Sequence, residues 1–306
     1  MRIAIPDFVS STSIPLIVAK DLGIFKEEGQ DVDIVTIRTG YVESLRDGAV
    51  EFSAGTAHHP LTAFPDWRGV KLVATVSQGT PWMLVMKAGL AKRGEIEAVK
   101  GRRIAADRGP DLVFKYLLRE AGIDIERDRV EIGPLPETTQ PVISFGVAAG
   151  RALADGKVDG FWANVLGCEL AIHLGGGSVV IDTRRGDGPR GAENYSFAAL
   201  ATTESKIETE PERIGAVIRA VVRAQSVLRQ DPLRATEVAR KLFPAVEAEL
   251  MGQILARDAE FYQAFISMEA IEEMNRFAKA VGLLSSPVPY EQVVATQFRG
   301  LWSESS

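Results

Sequence analysis

The sequence predicts an α/β fold of two lobes, each a mostly parallel sheet flanked by helices. Three observations lead to this prediction. The chain has 306 residues, and a prior of about 150 residues per domain suggests two domains. Strand-type and helix-type segments alternate along its first two thirds, which is typical of α/β layers. The segment order of the first third returns in the second third, so the lobes should resemble each other.

The first lobe begins with the β-type run Arg2–Pro6. The run Pro15–Leu22 is typical of a helix, because Ser13 can cap its start and Gly23 can end it. The remaining elements predicted for this third are the β-branched strand Val32–Ile37, the short helix Tyr41–Arg46, the strand Val50–Ala54, a helix beginning at Leu61–Phe64, and the strands Val70–Val76 and Trp82–Met86.

The middle third repeats this order. It predicts the strand Arg103–Ala106, the helix Leu112–Ala121, the strand Val130–Ile132, the helix Val147–Ala154, and the strands Val158–Trp162 and Val179–Asp182. Arg2–Asp7 matches Arg103–Asp107, and Leu45–Glu51 matches Leu153–Asp159. The order and the approximate spacing of these matches indicate an internal repeat. The alternative is that α/β turns simply look alike, since Asp-Gly is a common way to end a helix.

The last third is helical, with predicted helices at Glu212–Arg229, Leu233–Leu242, Glu247–Gln263 and Met268–Val281. We expect these helices to pack on the first lobe. The predicted first lobe is therefore discontinuous and comprises residues 1–82 and 200–306, while residues 83–199 form the second lobe. The two crossings, which would act as the hinge, are expected near residues 78–86 and 195–203.

Composition excludes several classes of protein. Cys168 is the single cysteine and there are three histidines, so we expect no internal disulfide, no metal site and no cofactor. The formal net charge is −6 and no dense basic run is present, which argues against a nucleic-acid partner. We expect a monomer or a weak dimer. No stretch approaches the roughly 20 apolar residues of a membrane span.

The N terminus has no secretory signal pattern, because a strand-type run begins at Arg2. As written, the chain would stay in the cytoplasm. It would be periplasmic if a leader had been removed, and the sequence leaves both locations open.

Ligands of open α/β sheets bind beyond the carboxyl ends of the strands, so the residues that follow each predicted strand are the candidate contacts. They supply hydroxyl and amide groups, bare backbone at Gly55, the imidazole of His58, a cation at Arg108 and two indole rings. The predicted ligand contacts are Ser10, Ser11, Thr12, Thr39, Gly55, Thr56, His58, Gln78, Trp82, Arg108, Glu137, Thr138, Trp162 and Asn164. The structural alternatives are helix capping for the serines, core packing for the tryptophans and a solvated side chain for Arg108.

A family resemblance is carried by the run Leu22-Gly23-Ile24-Phe25-Lys26-Glu27-Glu28-Gly29-Gln30-Asp31-Val32. With Pro15 and Ala19 before it, this run resembles the opening of nitrate/sulfonate/taurine-type solute-binding proteins of ABC importers, although Gln30 stands where that family often has leucine. Asp47–Phe52 and Val99–Ala105 resemble two later motifs of the family. The resemblance implies the class II periplasmic-binding-protein fold, with a ligand in the cleft between two lobes and an ABC-type permease as protein partner.

The same family includes enzymes on this scaffold, among them the thiamine-pyrimidine synthases, whose cysteine-rich motif is absent here. The common nucleotide-binding, serine-hydrolase and zinc-protease motifs are also absent. The sequence leaves open whether the chain is an enzyme and favours a binding protein. We therefore expect a solute-binding protein that closes around a small polar or anionic molecule, which can be aromatic. The alternatives are a cytoplasmic enzyme acting on a small carboxylated or aromatic substrate, with His58 as its acid–base residue, and a cytoplasmic sensor.

Overall fold

A computed structural model describes residues 1–136 and 144–303. Its strands are β1 (Arg2–Ile5), β2 (Asp33–Thr36), β3 (Phe52–Thr56), β4 (Val70–Ser77), β5 (Trp82–Lys87), β6 (Arg103–Ala106), β7 (Glu131–Gly133), β8 (Gly160–Asn164), β9 (Gly177–Asp182) and β10 (Ala198–Thr203). Its α-helices are α1 (Ile14–Asp21), α2 (Ile24–Glu27), α3 (Tyr41–Arg46), α4 (Pro110–Glu120), α5 (Phe145–Ala154), α6 (Val165–His173), α7 (Glu204–Thr209), α8 (Pro211–Gln230), α9 (Pro232–Leu242), α10 (Ala245–Asp258), α11 (Met268–Ala280) and α12 (Tyr290–Val293).

The strands form two sheets with equivalent topologies. The first sheet has the order β2-β1-β3-β10-β4, and the second has the order β7-β6-β8-β5-β9. In each sheet the first three strands pair in parallel, and the fourth is antiparallel to both of its neighbours. Four of the five strands in each sheet therefore run the same way, and the predicted two-lobed α/β fold with mostly parallel sheets is confirmed.

The antiparallel strand of each sheet is the one that follows a crossing from the other sheet. The chain leaves the first sheet after β4 and enters the second as β5, then leaves after β9 and returns as β10. Residues 198–203, expected to be part of the returning connection, thus form a buried strand between β3 and β4. The lobe boundaries inferred from the sequence stay a prediction.

The C-terminal helices contact both parts of the molecule. Helices α8 and α9 pack on α1, beside the first sheet, whereas α10 packs on α6 and α11 packs on α4, both beside the second sheet. Helix α10 also packs on α8 and α9, so the last third contacts helices beside both sheets. The expectation that these helices belong to the first lobe stays a prediction. The amphipathic pattern of α10 and α11 predicts that each buries one face, but it does not say against which partner.

Among the described helices, none combines the length and the apolar composition needed to cross a lipid bilayer.

Candidate ligand-binding cleft

A cavity of about 480 Å³ lies where loops that follow strands of both sheets meet. Loops after β1, β2 and β3 line it from one side, and the loop after β6 and the carboxyl end of β8 line it from the other. The parallel strands direct their carboxyl ends towards this place, which is where open α/β sheets bind ligands. A concave site between two sheets is the usual form of a small-molecule site.

Ten of the predicted contacts line this cavity: Ser10, Thr12, Thr39, Gly55, Thr56, His58, Trp82, Arg108, Trp162 and Asn164. Ser11 and Gln78 do not. Ser11 is buried beside it, and the Gln78 side-chain amide donates to the Phe265 carbonyl at 3.1 Å. Glu137 and Thr138 lie outside the described residues. The ligand-contact role of each residue stays a prediction.

Asp7 is the most strongly perturbed carboxyl group of the cleft. One of its oxygens accepts from the Val9 backbone N–H at 3.0 Å, and the other accepts from the Ser144 hydroxyl at 2.7 Å. Burial raises its pKa to about 7, although both hydrogen bonds and the charge of Arg38 oppose that shift. Ser144 precedes α5 of the second lobe, so the Asp7–Ser144 bond joins the loops of the two sheets.

A second contact between the sheets involves charged groups. The Arg38 guanidinium lies 3.6 Å from the Asp107 carboxylate, and these residues follow β2 and β6 respectively. Arg108 is exposed, and no carboxylate of residues 1–136 and 144–303 lies within ion-pair distance of it. The backbone N–H groups of Arg108 and Gly109 donate instead to Asp107 and Asp111, each at 2.9 Å.

Two tryptophans of the second sheet contribute the aromatic part of the lining. The Trp82 and Trp162 ring centroids are 6.4 Å apart, and Trp162 also stacks on Phe114 at 5.2 Å. Trp162 has no exposed surface, and its indole N–H has no partner among the described residues. Trp162 therefore belongs to the hydrophobic core as well as to the wall of the cavity.

The two adjacent histidines have different surroundings. His58 is fully buried, with Nδ1 2.9 Å from the Ser196 hydroxyl and its ring edge-on to Phe277. Burial holds the pKa of His58 well below its usual value and also lowers the pKa of His59. His59 is half-buried, and its Nδ1 lies 2.7 Å from the Tyr41 hydroxyl. His59 is thus the more accessible imidazole of the cleft.

Two glycines make room for this histidine–tyrosine pair. At Gly55 a β-carbon would lie 2.7 Å from the Tyr41 hydroxyl oxygen, so any side chain there would displace the tyrosine. At Gly109, on the other side of the cleft, a β-carbon would lie 3.2 Å from His59 Nε2. Gly109 also has φ +96°, a conformation that favours glycine.

Asp7, Arg38, Tyr41 and His59 line the cavity but were not among the sequence-predicted contacts. All four lie in segments that follow strands, so the criterion used to select candidate contacts from the sequence includes these segments. What the sequence lacks is the information that pairs Asp7 with Ser144, 137 residues away, or Tyr41 with His59. Among the described residues, no three His, Cys, Asp or Glu side chains are grouped so that they could hold a metal ion.

A family model described as "NMT1/THI5 like" matches residues 10–235. No curated protein sequence matches the chain. A solved structure of a protein from Bordetella bronchiseptica RB50 superimposes with a TM-score of 0.76 at 18% identity, covering 98% of this chain and 95% of that one.

Two other solved structures share the fold over nearly their full length. The alkanesulfonate-binding protein SsuA from Xanthomonas axonopodis pv. citri, bound to MOPS, has a TM-score of 0.71 at 16% identity, covering 97% of this chain and 96% of that one. The desulfurization enzyme DSZB has a TM-score of 0.63 at 15% identity, covering 98% and 97%. At these identities the likeness shows the fold, which binding proteins and enzymes share.

Proposed function

Since the chain belongs to the NMT1/THI5-like family, we propose that it is a solute-binding protein that closes two lobes around one small molecule and delivers it to an ABC-type importer. The observation that carries the proposal is the cavity of about 480 Å³, lined by the strand-end loops of both sheets. Structural likeness to a sulfonate-binding protein supports a binding role. The absence of the common catalytic motifs from the sequence favours it over catalysis.

Two contacts that bridge the cleft indicate how the lobes would close on each other. The Asp7–Ser144 hydrogen bond and the Arg38–Asp107 ion pair each join a first-sheet loop to a second-sheet loop. A ligand that touches both sides adds further contacts, which are complete only when the lobes are together. The ligand therefore stabilises the closed state by its difference in affinity for the two states.

We place the hinge at the two crossings between the sheets. The first lobe is proposed to comprise residues 1–82 and 200–306, and the second residues 83–199. The crossing from β4 to β5 is short, which suits a hinge that rotates without large rearrangement of either sheet. The implied protein partner is an ABC-type permease, which would recognise the closed form of a monomeric binding protein.

The proposal is tested by native mass spectrometry of the protein purified from its own cells. The expected result is one small molecule bound per chain. Thr39 is exposed and lines the cavity, so Thr39→Trp should fill the cleft without disturbing the core. This variant should carry no bound molecule while its unfolding midpoint matches that of the ligand-free wild type. A bound molecule that persists in Thr39→Trp would contradict the proposed site.

An enzyme on the same scaffold is the second candidate. The pKa of Asp7 supports the enzyme candidate, because a carboxyl whose pKa is raised to about 7 can exchange a proton near neutral pH. His58, the acid–base residue expected from the sequence, suits that role poorly because its ring is fully buried. If the released molecule changes mass during incubation with the protein, and Asp7→Asn abolishes the change, the chain is an enzyme. An unchanged mass supports the binding protein.

A further inference from the structure

The distribution of charge in the cleft bears on the class of its ligand. Among the described residues, four carboxyl groups and two guanidinium groups line the cavity; they belong to Asp7, Glu43, Asp107, Asp111, Arg38 and Arg108. Among the described residues that line the cavity, acidic side chains therefore outnumber basic ones.

The charges also differ in their exposure. Asp7, Glu43 and Asp111 are half-buried, whereas Arg38 and Arg108 are exposed. Asp107 lies within ion-pair distance of Arg38, and Asp111 pairs with Lys115 at 2.6 Å. Because solvent screens exposed charges more than half-buried ones, Glu43 and ionised Asp7 act on a ligand inside the cavity more strongly than the arginines do. A cationic ligand would favour the ionised form of Asp7.

Four donors beside the cleft, three backbone N–H groups and one hydroxyl, are already bound to carboxylates of the protein. The backbone N–H groups of Val9, Arg108 and Gly109 donate to Asp7, Asp107 and Asp111. The Ser144 hydroxyl at the start of α5 also donates to Asp7. Helix N-termini attract anions, and the bond from the Ser144 hydroxyl places the Asp7 side chain near the start of α5.

We infer that the cleft selects a ligand with a positively charged nitrogen, with Asp7 as its counter-charge and the indole of Trp82 as its aromatic wall. This inference rests on the proposed function and differs from the anionic ligand expected from the sequence. A cation beside Asp7 would gain an ion pair in a partly buried site. Contact of the same ligand with the Trp82 indole, which lines the cavity, would add cation–π attraction. An anion in the same place would lie beside Asp7 and Glu43.

The inference is tested by isothermal titration calorimetry with matched sets of amine, alcohol and acid. The probes are benzylamine, benzyl alcohol and benzoate, then tryptamine, tryptophol and indole-3-acetate, then butylamine, butanol and butyrate. In each set that binds, the amine should bind at least tenfold more tightly than the alcohol, and the acid should be weakest. Asp7→Asn should reduce the preference for the amine at least fivefold. Asp31→Asn, an exposed carboxylate outside the cavity lining, should leave it unchanged.

The inference is overturned if the acids bind as tightly as the amines or if the amine preference survives in Asp7→Asn. It is also overturned if no probe binds while native mass spectrometry finds a bound molecule without a positive charge. The proposed function fails separately, when the protein purified from its own cells carries no molecule and no probe of any charge binds. Because amine and alcohol are compared on the same variant, the change in preference reports on the charge of Asp7 and not on the fraction of folded protein.

Discussion

Asp7 couples the electrostatics of the cleft to the stability of the protein. Its pKa is about 7 in the folded state, mainly because of burial, against an ordinary value of 3.8 for an aspartate. The folded protein therefore holds this proton more tightly than the unfolded chain does. The resulting stabilisation is complete below pH 3.8 and is lost as the pH rises through 7.

We predict that Asp7→Asn removes this pH dependence. At about 1.36 kcal/mol per pH unit and a shift of about three units, the free energy of unfolding of the wild type should fall by at most ~4 kcal/mol between pH 4 and pH 8 relative to the variant. Urea unfolding at the two pH values measures the difference, and Asp31→Asn serves as the control. An identical pH profile for the wild type and Asp7→Asn would show that Asp7 is not buried as described.

Gly109 should not tolerate a side chain, because His59 from the other side of the cleft lies close to its α-carbon. Gly109→Ala is expected to cost about 1–2 kcal/mol of stability, through its positive φ and the 3.2 Å contact with Nε2. Gly122→Ala is the matched control, because Gly122 has φ +79° with no atom within 4 Å of a β-carbon. Both variants should be destabilised in urea, and only Gly109→Ala should weaken the affinity for the co-purified molecule. Equal affinities for the two variants would contradict the contact across the cleft.

At the scale of elements, ion pairs join α10 to the second sheet's helices and loops. Glu247 pairs with Arg151, Arg257 pairs with Glu169, and Asp258 pairs with Arg185. Asp258 is buried and also accepts from Arg257 at 2.8 Å. The position of α10 beside α6 therefore depends on buried charges as well as on apolar packing.

Asp258→Asn should destabilise the protein by about 2 kcal/mol, because it removes the charge of a buried carboxylate that accepts from both Arg185 and Arg257. Each guanidinium keeps a second carboxylate, Asp182 or Glu169. Glu249→Gln breaks an exposed pair with Arg240 and should change the free energy of unfolding by less than about 0.5 kcal/mol. Urea unfolding at constant pH measures both. If Asp258→Asn costs no more than Glu249→Gln, the packing of α10 is independent of the buried charges.

The periodic elements could be predicted from the sequence because their cause is local. Alternation along Val32–Ile37 and the Asp-Gly helix ends are visible in a short window, and β2, α3 and α5 follow from them. Strand β10 was predicted only as a connection, because its alanines and threonines lack a distinct period. The loops of the site follow from the strand ends, whereas the pairing of Asp7 with Ser144 depends on how distant segments pack.

For the whole molecule, the crossings that lead into β5 and β10 determine how the two sheets are connected. Each sheet is completed by a strand that arrives from the other, so two connections link the lobes and the cleft lies between them. Relative motion of the lobes would then change the width of the cleft, while the strands of each sheet keep their hydrogen bonds. This architecture suits a protein that captures a small molecule by closing.

The most direct test of this account is a crystal structure of the protein with the molecule that co-purifies with it. We predict electron density for that molecule in the cavity beside Asp7 and Trp82, in contact with loops of both sheets. Density outside this cavity, or contacts with the loops of one sheet only, would contradict the claim that the two lobes close around the ligand.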